Sequence, residues 1–210
     1  MNQKPQRIQI MVRTPDPRPL AEALLAITSG YDCHAEFEIG VAEVSGEFGL
    51  GLGITVRDRP VDEIVTDLPE VGEALTATGA LVVAGPVHDL IAGPAVTLRV
   101  TFPVVRSDSF TTASFSDYWL CEHVKIPRSI PGFHSYSQLH ADPALTQNVA
   151  DCWGLTVAEW DGCALVGHVD FDEYERVMRD PIFTGRAVPD MATFVDQQRS
   201  SFNLFRIVTL

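Results

Sequence analysis

The run "FGLGLGITV" at residues 48–56 admits essentially one local conformation. Phe48, Leu50, Leu52, Ile54 and Val56 alternate with Gly49, Gly51 and Gly53. A period of two puts the apolar side chains on one face of a strand, whereas a helix would scatter them. Each interior glycine would also weaken such a helix by roughly 1 kcal/mol. A dinucleotide fingerprint needs its glycines in a turn between a strand and a helix. These alternate inside a strand, so they are expected to let another backbone or a ligand come close to that face.

The neighbouring segments read just as directly. "RIQIMVR" (7–13) alternates Ile8, Ile10 and Val12 with Arg7, Gln9 and Arg13, a strand. After the turn "TPDPRP", residues 20–30 read as a helix closed by Gly30. "AEFEIGVAEV" and the glycine strand are joined across "SGE", which predicts a hairpin. Residues 59–79 are largely helical, with Pro60 near the first turn and a break before Pro69. "ALVVAGPVHDL" then supplies a short closing strand. The order β-α-β-β-α-β is that of a ferredoxin-like unit.

The same order recurs after the Gly-Pro joint within 92–105, where a new strand begins. A helix is expected at 115–126, a strand at 133–140, a polar insertion at 141–161 and a strand at 162–169. Helices at 171–179 and near 190–198 and a strand at 202–210 complete the chain. The first strands of the two halves begin at Arg7 and Ala95, 88 residues apart. The expected class is therefore α+β, with two ferredoxin-like repeats. Residues 1–93 form a degenerate N-terminal repeat and 94–210 a C-terminal one. A sheet whose own helices cover one face must bury the other. Packing the two repeats sheet to sheet does this, as an intrachain dimeric α+β barrel.

Composition narrows the function classes. The formal charge of −13 and the scattered basic residues argue against a nucleic-acid partner, which needs clustered Lys and Arg. No run approaches the roughly 20 apolar residues that cross a bilayer, and the N-terminus lacks the apolar core of a signal peptide. Cys33, Cys121, Cys152 and Cys163 form no C-x-x-C pair, so neither metal spacing nor a disulfide framework is expected. They read as reduced, mostly buried thiols of a cytoplasmic protein.

The densest chemistry lies at 115–140, "FSDYWLCEHVKIPRSIPGFHSYSQLH". Ser114 or Ser116 is expected to cap the helix, Ser114 forming a box with Asp117. Phe115, Trp119, His123 and Ile126 fall at helical spacing. Such a stripe is normally core, and His123 then reads as a buried neutral histidine bonded to backbone. The alternative is an acid/base set in an apolar wall. Pro131-Gly132 turns the chain, and the next strand carries His134, Tyr136, Gln138 and His140 on one face. On an edge strand that face would be solvated; in a central barrel strand it would line a cavity.

Tyr118-Trp119, His123, Pro131-Gly132 and Tyr136 together resemble the signature of the EthD family of the dimeric α+β barrel superfamily. Asp161-Gly162, "FDEYERVMRDP" and Asp190 with Phe194 agree in order with its later motifs. The sequence departs from the family at Lys125, where Pro is usual, and at Leu165 and Gly167, where an acid and an aromatic residue are common. Those two losses are expected to enlarge the cavity.

The resemblance implies cofactor-independent acid/base chemistry on a small hydrophobic, cyclic or aromatic carbonyl compound in degradative or secondary metabolism. His123, Tyr136 and His140 would be the catalytic groups, and Phe115, Tyr118, Trp119, His134 and Gln138 would contact substrate. No metal or other cofactor is implied, and the partners expected are a hydrophobic metabolite and at most a second copy of the chain. The rival is a non-catalytic protein that holds such a metabolite in the barrel. A haem protein is a third reading, because relatives in the superfamily use a His as axial ligand.

Overall fold

Strand β1 (Gln6–Val12) is buried on both faces. Ile8, Ile10 and Val12 join an apolar core, while Arg7, Gln9 and Met11 are equally enclosed on the opposite side. A strand with two buried faces, one of them charged, needs a closed sheet with a polar interior. The computed structural model, which describes residues 4–29, 31, 33–41 and 47–208, contains one.

The elements run β1, α1 (Arg18–Thr28), β2 (His34–Gly40), β3 (Leu50–Val56), α2 (Val61–Asp67), α3 (Pro69–Leu75) and β4 (Leu81–Ile91). There follow β5 (Leu98–Val104), α4 (Thr112–Cys121), β6 (Ser135–His140), α5 (Pro143–Trp153), β7 (Thr156–Val157), β8 (Gly162–His168), α6 (Phe171–Met178), α7 (Val188–Phe194) and β9 (Asn203–Val208). Eight strands are hydrogen-bonded in the order β1-β3-β2-β9-β5-β8-β6-β4, and β4 returns to β1 with Arg7 opposite Gly85. Every contact around the ring is antiparallel. This is an eight-stranded barrel with helices outside it. β4 is not the short closing strand expected. Its 11 residues pair with β1 at one end and β6 at the other, joining the halves of the ring.

The barrel interior is an ion network. Arg7 Nη1 lies 2.7 Å from Glu36 Oε2, and Arg99 Nη1 lies 2.6 Å from the same oxygen. Glu38, fully buried, receives Arg7 at 3.3 Å, Arg99 at 3.2 Å and the Thr101 hydroxyl at 2.7 Å. Burial pushes the Glu36 carboxyl up, but His34, Arg7 and Arg99 outweigh it and hold the group well below the carboxylate range. The glycine face of β3 supplies the room. A Cβ at Gly51 would sit 2.7 Å from Glu38 Oε2, and one at Gly53 would overlap the Arg7 guanidinium. What approaches Gly51 and Gly53 is the network's side chains, whereas at Gly49 it is a backbone, as expected: a Cβ there would overlap the Thr14 carbonyl oxygen.

Outside the ring the apolar faces meet the helices. Ile8, Ile10, Leu50, Leu52 and Ile54 pack against Leu24, Val61, Ile64, Val71 and Leu75. The segment 141–161, expected as a polar insertion, contains α5. Asp142 caps it through Ala144 N and Leu145 N, Pro143 opens it, and Gly154 closes it at φ +64°. Thr146, Val149, Ala150 and Trp153 form its buried stripe, and Trp153 completes the core under β1 and β3. Gly72 in α3 allows the two helices to touch, since a Cβ there would lie 2.8 Å from the Trp153 Cα.

Gly30 and the turn at 45–46 lie outside the described residues. Of the four cysteines only Cys163 is fully buried, while Cys121 and Cys152 are exposed. Among the described residues no helix is long and apolar enough to cross a membrane.

Candidate active site

The helix expected at 115–126 is shorter and starts earlier. Thr111 rather than Ser114 is its N-cap, with Ser114 returning the bond as the box's third residue. It ends at Cys121, and a 3-10 turn (His123–Lys125) follows, held by Ile126 N donating to the His123 carbonyl. A second such turn (Pro127–Ser129) follows. At Pro131-Gly132 the chain reverses with φ +74° at the glycine, a conformation that disfavours a Cβ, and Arg176 Nη1 donates to the Pro131 carbonyl at 2.9 Å. His123 therefore sits on a tight turn after the helix.

These turns place His123 over an apolar pocket that is partly open to solvent. Its floor is the outward face of the sheet, made by Val100, Phe102, Tyr136, Ala164 and Val166. Its roof is His123, Pro127, Ile130, Phe133, Met178, Phe183, Ala187 and Met191. The pocket is thus between sheet and helices, not inside the barrel. Leu165 and Gly167 alternate with its floor residues and point the other way, so their departure from the family pattern does not enlarge it. On the other half of the ring the corresponding space is filled by the core containing Trp153.

His123 is the basic group on this apolar wall. Its Nδ1 lies 2.7 Å from Asp190 Oδ2, and Asp190 Oδ1 accepts the Tyr118 hydroxyl at 2.6 Å. Asp190 and Phe194 are one turn apart on α7, so one helix face supplies both the carboxylate and a ring 5.0 Å from the imidazole. Burial pushes the His123 pKa below its ordinary value, and Asp190 opposes that shift. With the Nδ1 proton donated to Asp190, the basic lone pair is on Nε2. Asp190 was legible in the sequence as part of a late motif, but nothing local linked it to His123, 67 residues away.

Tyr136 is buried on the floor. Its oxygen accepts Trp119 Nε1 at 3.0 Å and Gln138 Nε2 at 2.8 Å, and burial raises its pKa far above that of a free phenol. His140 does not line the pocket. Its Nε2 lies 3.0 Å from Gln138 Oε1, its Nδ1 2.6 Å from Ser116 Oγ, and its ring stacks on Trp119 at 4.7 Å. Burial and the nearby His88 push its pKa down to about 4. Phe115, Trp119 and Gln138 stand behind the wall, and Tyr118 reaches the site only through Asp190. His134 precedes β6, is half-exposed, and faces Glu173 at 3.5 Å; it does not line the pocket. Gly162 follows Asp161 because a Cβ there would meet Trp119 Cζ3 at 2.8 Å.

The family model described as EthD domain matches residues 107–198, which include His123, Tyr136 and Asp190. Those residues form an EthD domain. The strands outside it, β1 to β5 and β9, complete the barrel around the EthD segment. No curated protein matches the sequence significantly. Among solved structures, an anthrone oxidase-like protein superposes with a TM-score of 0.60 at 14% identity, over 100% of this chain and 94% of that one. A candidate monooxygenase from Fusobacterium nucleatum gives 0.60 at 9% identity, over 100% and 94%. A mutant chlorite dismutase from Candidatus Nitrospira defluvii, in complex with cyanide, gives 0.56 at 9%, over 98% and 91%. Identities this low show the fold alone: a mixed α+β barrel like those of the dimeric α+β barrel proteins.

Proposed function

We propose that this EthD protein is an enzyme that moves a proton at a carbon activated by a carbonyl, on a small hydrophobic cyclic substrate and without a cofactor. The observation that supports this most directly is the Tyr118–Asp190–His123 chain at an otherwise apolar pocket. Asp190 orients the imidazole and stabilises the cation it becomes, so Nε2 is a base against an apolar wall. In the step, Nε2 takes the proton, the C–H electron pair moves into the ring system, and the carbonyl oxygen becomes an oxyanion beside Tyr136. Returning the proton at the same or another carbon leaves atoms and electrons balanced. The name of the anthrone oxidase-like neighbour is in keeping with a cyclic ketone. A degradative or secondary-metabolic setting, a cytoplasmic location and a solitary or paired chain belong to the same proposal. So does the descent of the ring from two β-α-β-β-α-β repeats divided near residue 93.

A direct test uses 2-tetralone in deuterium oxide, following loss of its C1 hydrogens by NMR. Catalysed exchange by the native protein and its loss in a folded His123→Gln variant are expected; equal exchange by both would remove the proposed base. Binding without exchange, unaffected by His123→Gln, would favour the metabolite carrier instead. Haem fits the pocket less well, because the lining holds no Lys or Arg to meet its two carboxylates. Absence of a Soret band after adding haem would dismiss it.

A further inference from the structure

The hydrogen bonds behind the floor of the pocket have only one consistent direction. The Trp119 carbonyl can only accept, and Gln138 Nε2 lies 3.0 Å from it, so the amide nitrogen of Gln138 must face that side. Gln138 Oε1 then faces His140, and His140 Nε2 must carry the proton that bridges the 3.0 Å between them. His140 Nδ1 is left as an acceptor, so the Ser116 hydroxyl donates to it across 2.6 Å. At the other end, the Trp119 indole nitrogen can only donate, and it lies 3.0 Å from the Tyr136 oxygen. Gln138 donates to that oxygen too, at 2.8 Å. Both lone pairs of the Tyr136 hydroxyl are therefore occupied by donors.

A phenolic oxygen with both lone pairs filled has one remaining capacity, the donation of its own hydrogen. Tyr136 is 2% exposed and forms part of the pocket floor. We propose that Ser116, His140, Gln138 and Trp119 hold Tyr136 as an obligate donor toward the pocket, so that its ligand must present an acceptor oxygen there. This rests on the proposed function and narrows its substrate to ring compounds whose carbonyl or enolate oxygen reaches Tyr136, with the acidic carbon on the His123 side. His140 is thereby a positioning residue that acts through Gln138, not a catalytic one. Its neutral state suits this, since a protonated ring would lose its acceptor for Ser116.

The test compares 2-tetralone with tetralin, which lacks only the oxygen, by calorimetry on the intact protein. The native protein should bind the ketone roughly tenfold tighter or more. Tyr136→Phe should abolish the preference and keep the affinity for tetralin. Gln138→Leu retains the hydroxyl but frees its rotation, and should lower the preference severalfold. If either variant fails to fold, 15N NMR of the unaltered protein decides the direction of the chain. At pH 7 His140 should be the neutral tautomer protonated on Nε2. A proton on Nδ1 would reverse the chain and overturn the proposal, as would equal native binding of ketone and hydrocarbon or an undiminished preference in Tyr136→Phe. Failure of proton exchange with the preference intact would refute only the role of His123.

Discussion

Gly53 and the Arg7 guanidinium divide one space inside the barrel: a Cβ on the glycine would occupy the position of the arginine's terminal atoms. Gly53→Ala must therefore displace a buried cation from its partners Glu36 and Glu38. We expect a loss of about 2–4 kcal/mol in urea denaturation. Gly185, where an added Cβ meets nothing within 4 Å, is the control, and Gly185→Ala should change stability little.

Glu38 joins both arginines and has no solvent exposure. Glu38→Gln keeps the shape but leaves Arg7 and Arg99 to share Glu36. The expected cost is about 3–5 kcal/mol, because an uncompensated buried charge is far more expensive than a lost surface pair. High salt should rescue little of it, which a melt in 1 M salt would check.

His140 and His168 are both pushed by burial to a pKa of about 4. In the unfolded chain each protonates near its ordinary value of about 6.5. Between these values the unfolded state holds more protons, so stability is complete above about pH 6.5 and falls as the pH drops toward 4. Each group withdraws up to about 3 kcal/mol across that window. His168, whose ring nitrogens make no hydrogen bond among the described residues, should give most of its share back in His168→Phe. Thermal melts between pH 7 and 4 measure both effects.

The acid limb of proton exchange should lie below pH 6.5, since burial lowers the His123 pKa and the neutral ring is the base. Asp190→Asn removes the charge that opposes this shift, moving the limb further down and slowing exchange about 100-fold or more. Tyr118→Phe should do the reverse to the limb. Without the 2.6 Å bond from Tyr118, Asp190 accepts more strongly from His123 and raises its pKa. Equal limbs in the three proteins would disconnect Tyr118 and Asp190 from the base.

Much of this was legible in the sequence, and what was not has definite causes. Alternation in β1 and β3 fixed the strands but is symmetrical, so it did not tell that Arg7 and Gln9 face inward. Only ring closure, a property of eight strands together, makes the polar face an interior. The α5 signals were all present: Asp142, Pro143, the stripe ending at Trp153, and Gly154. They were masked by the polar residues between them. His123 and Tyr136 could be picked out locally, although the helix expected to carry His123 stops at Cys121, whereas Asp190 reaches the imidazole through tertiary packing alone.

Trp153 offers the complementary test. It fills the helix-covered side of the half opposite the pocket, with Nε1 bonded to the Val65 carbonyl at 3.1 Å. Trp153→Ala should cost about 3–5 kcal/mol in denaturant while 2-tetralone binding stays unchanged under folding conditions.

Closure of the ring within a single chain has a consequence for how such a protein can change. A barrel assembled from two identical subunits repeats every substitution on both sides, so a residue that plugs one pocket plugs the other. Here β1 to β4 and β5 to β9 are encoded once each. One side is solid with Trp153 while the other has an opening under His123. All eight strands of the ring come from one chain, so closing it requires no strand from a second copy.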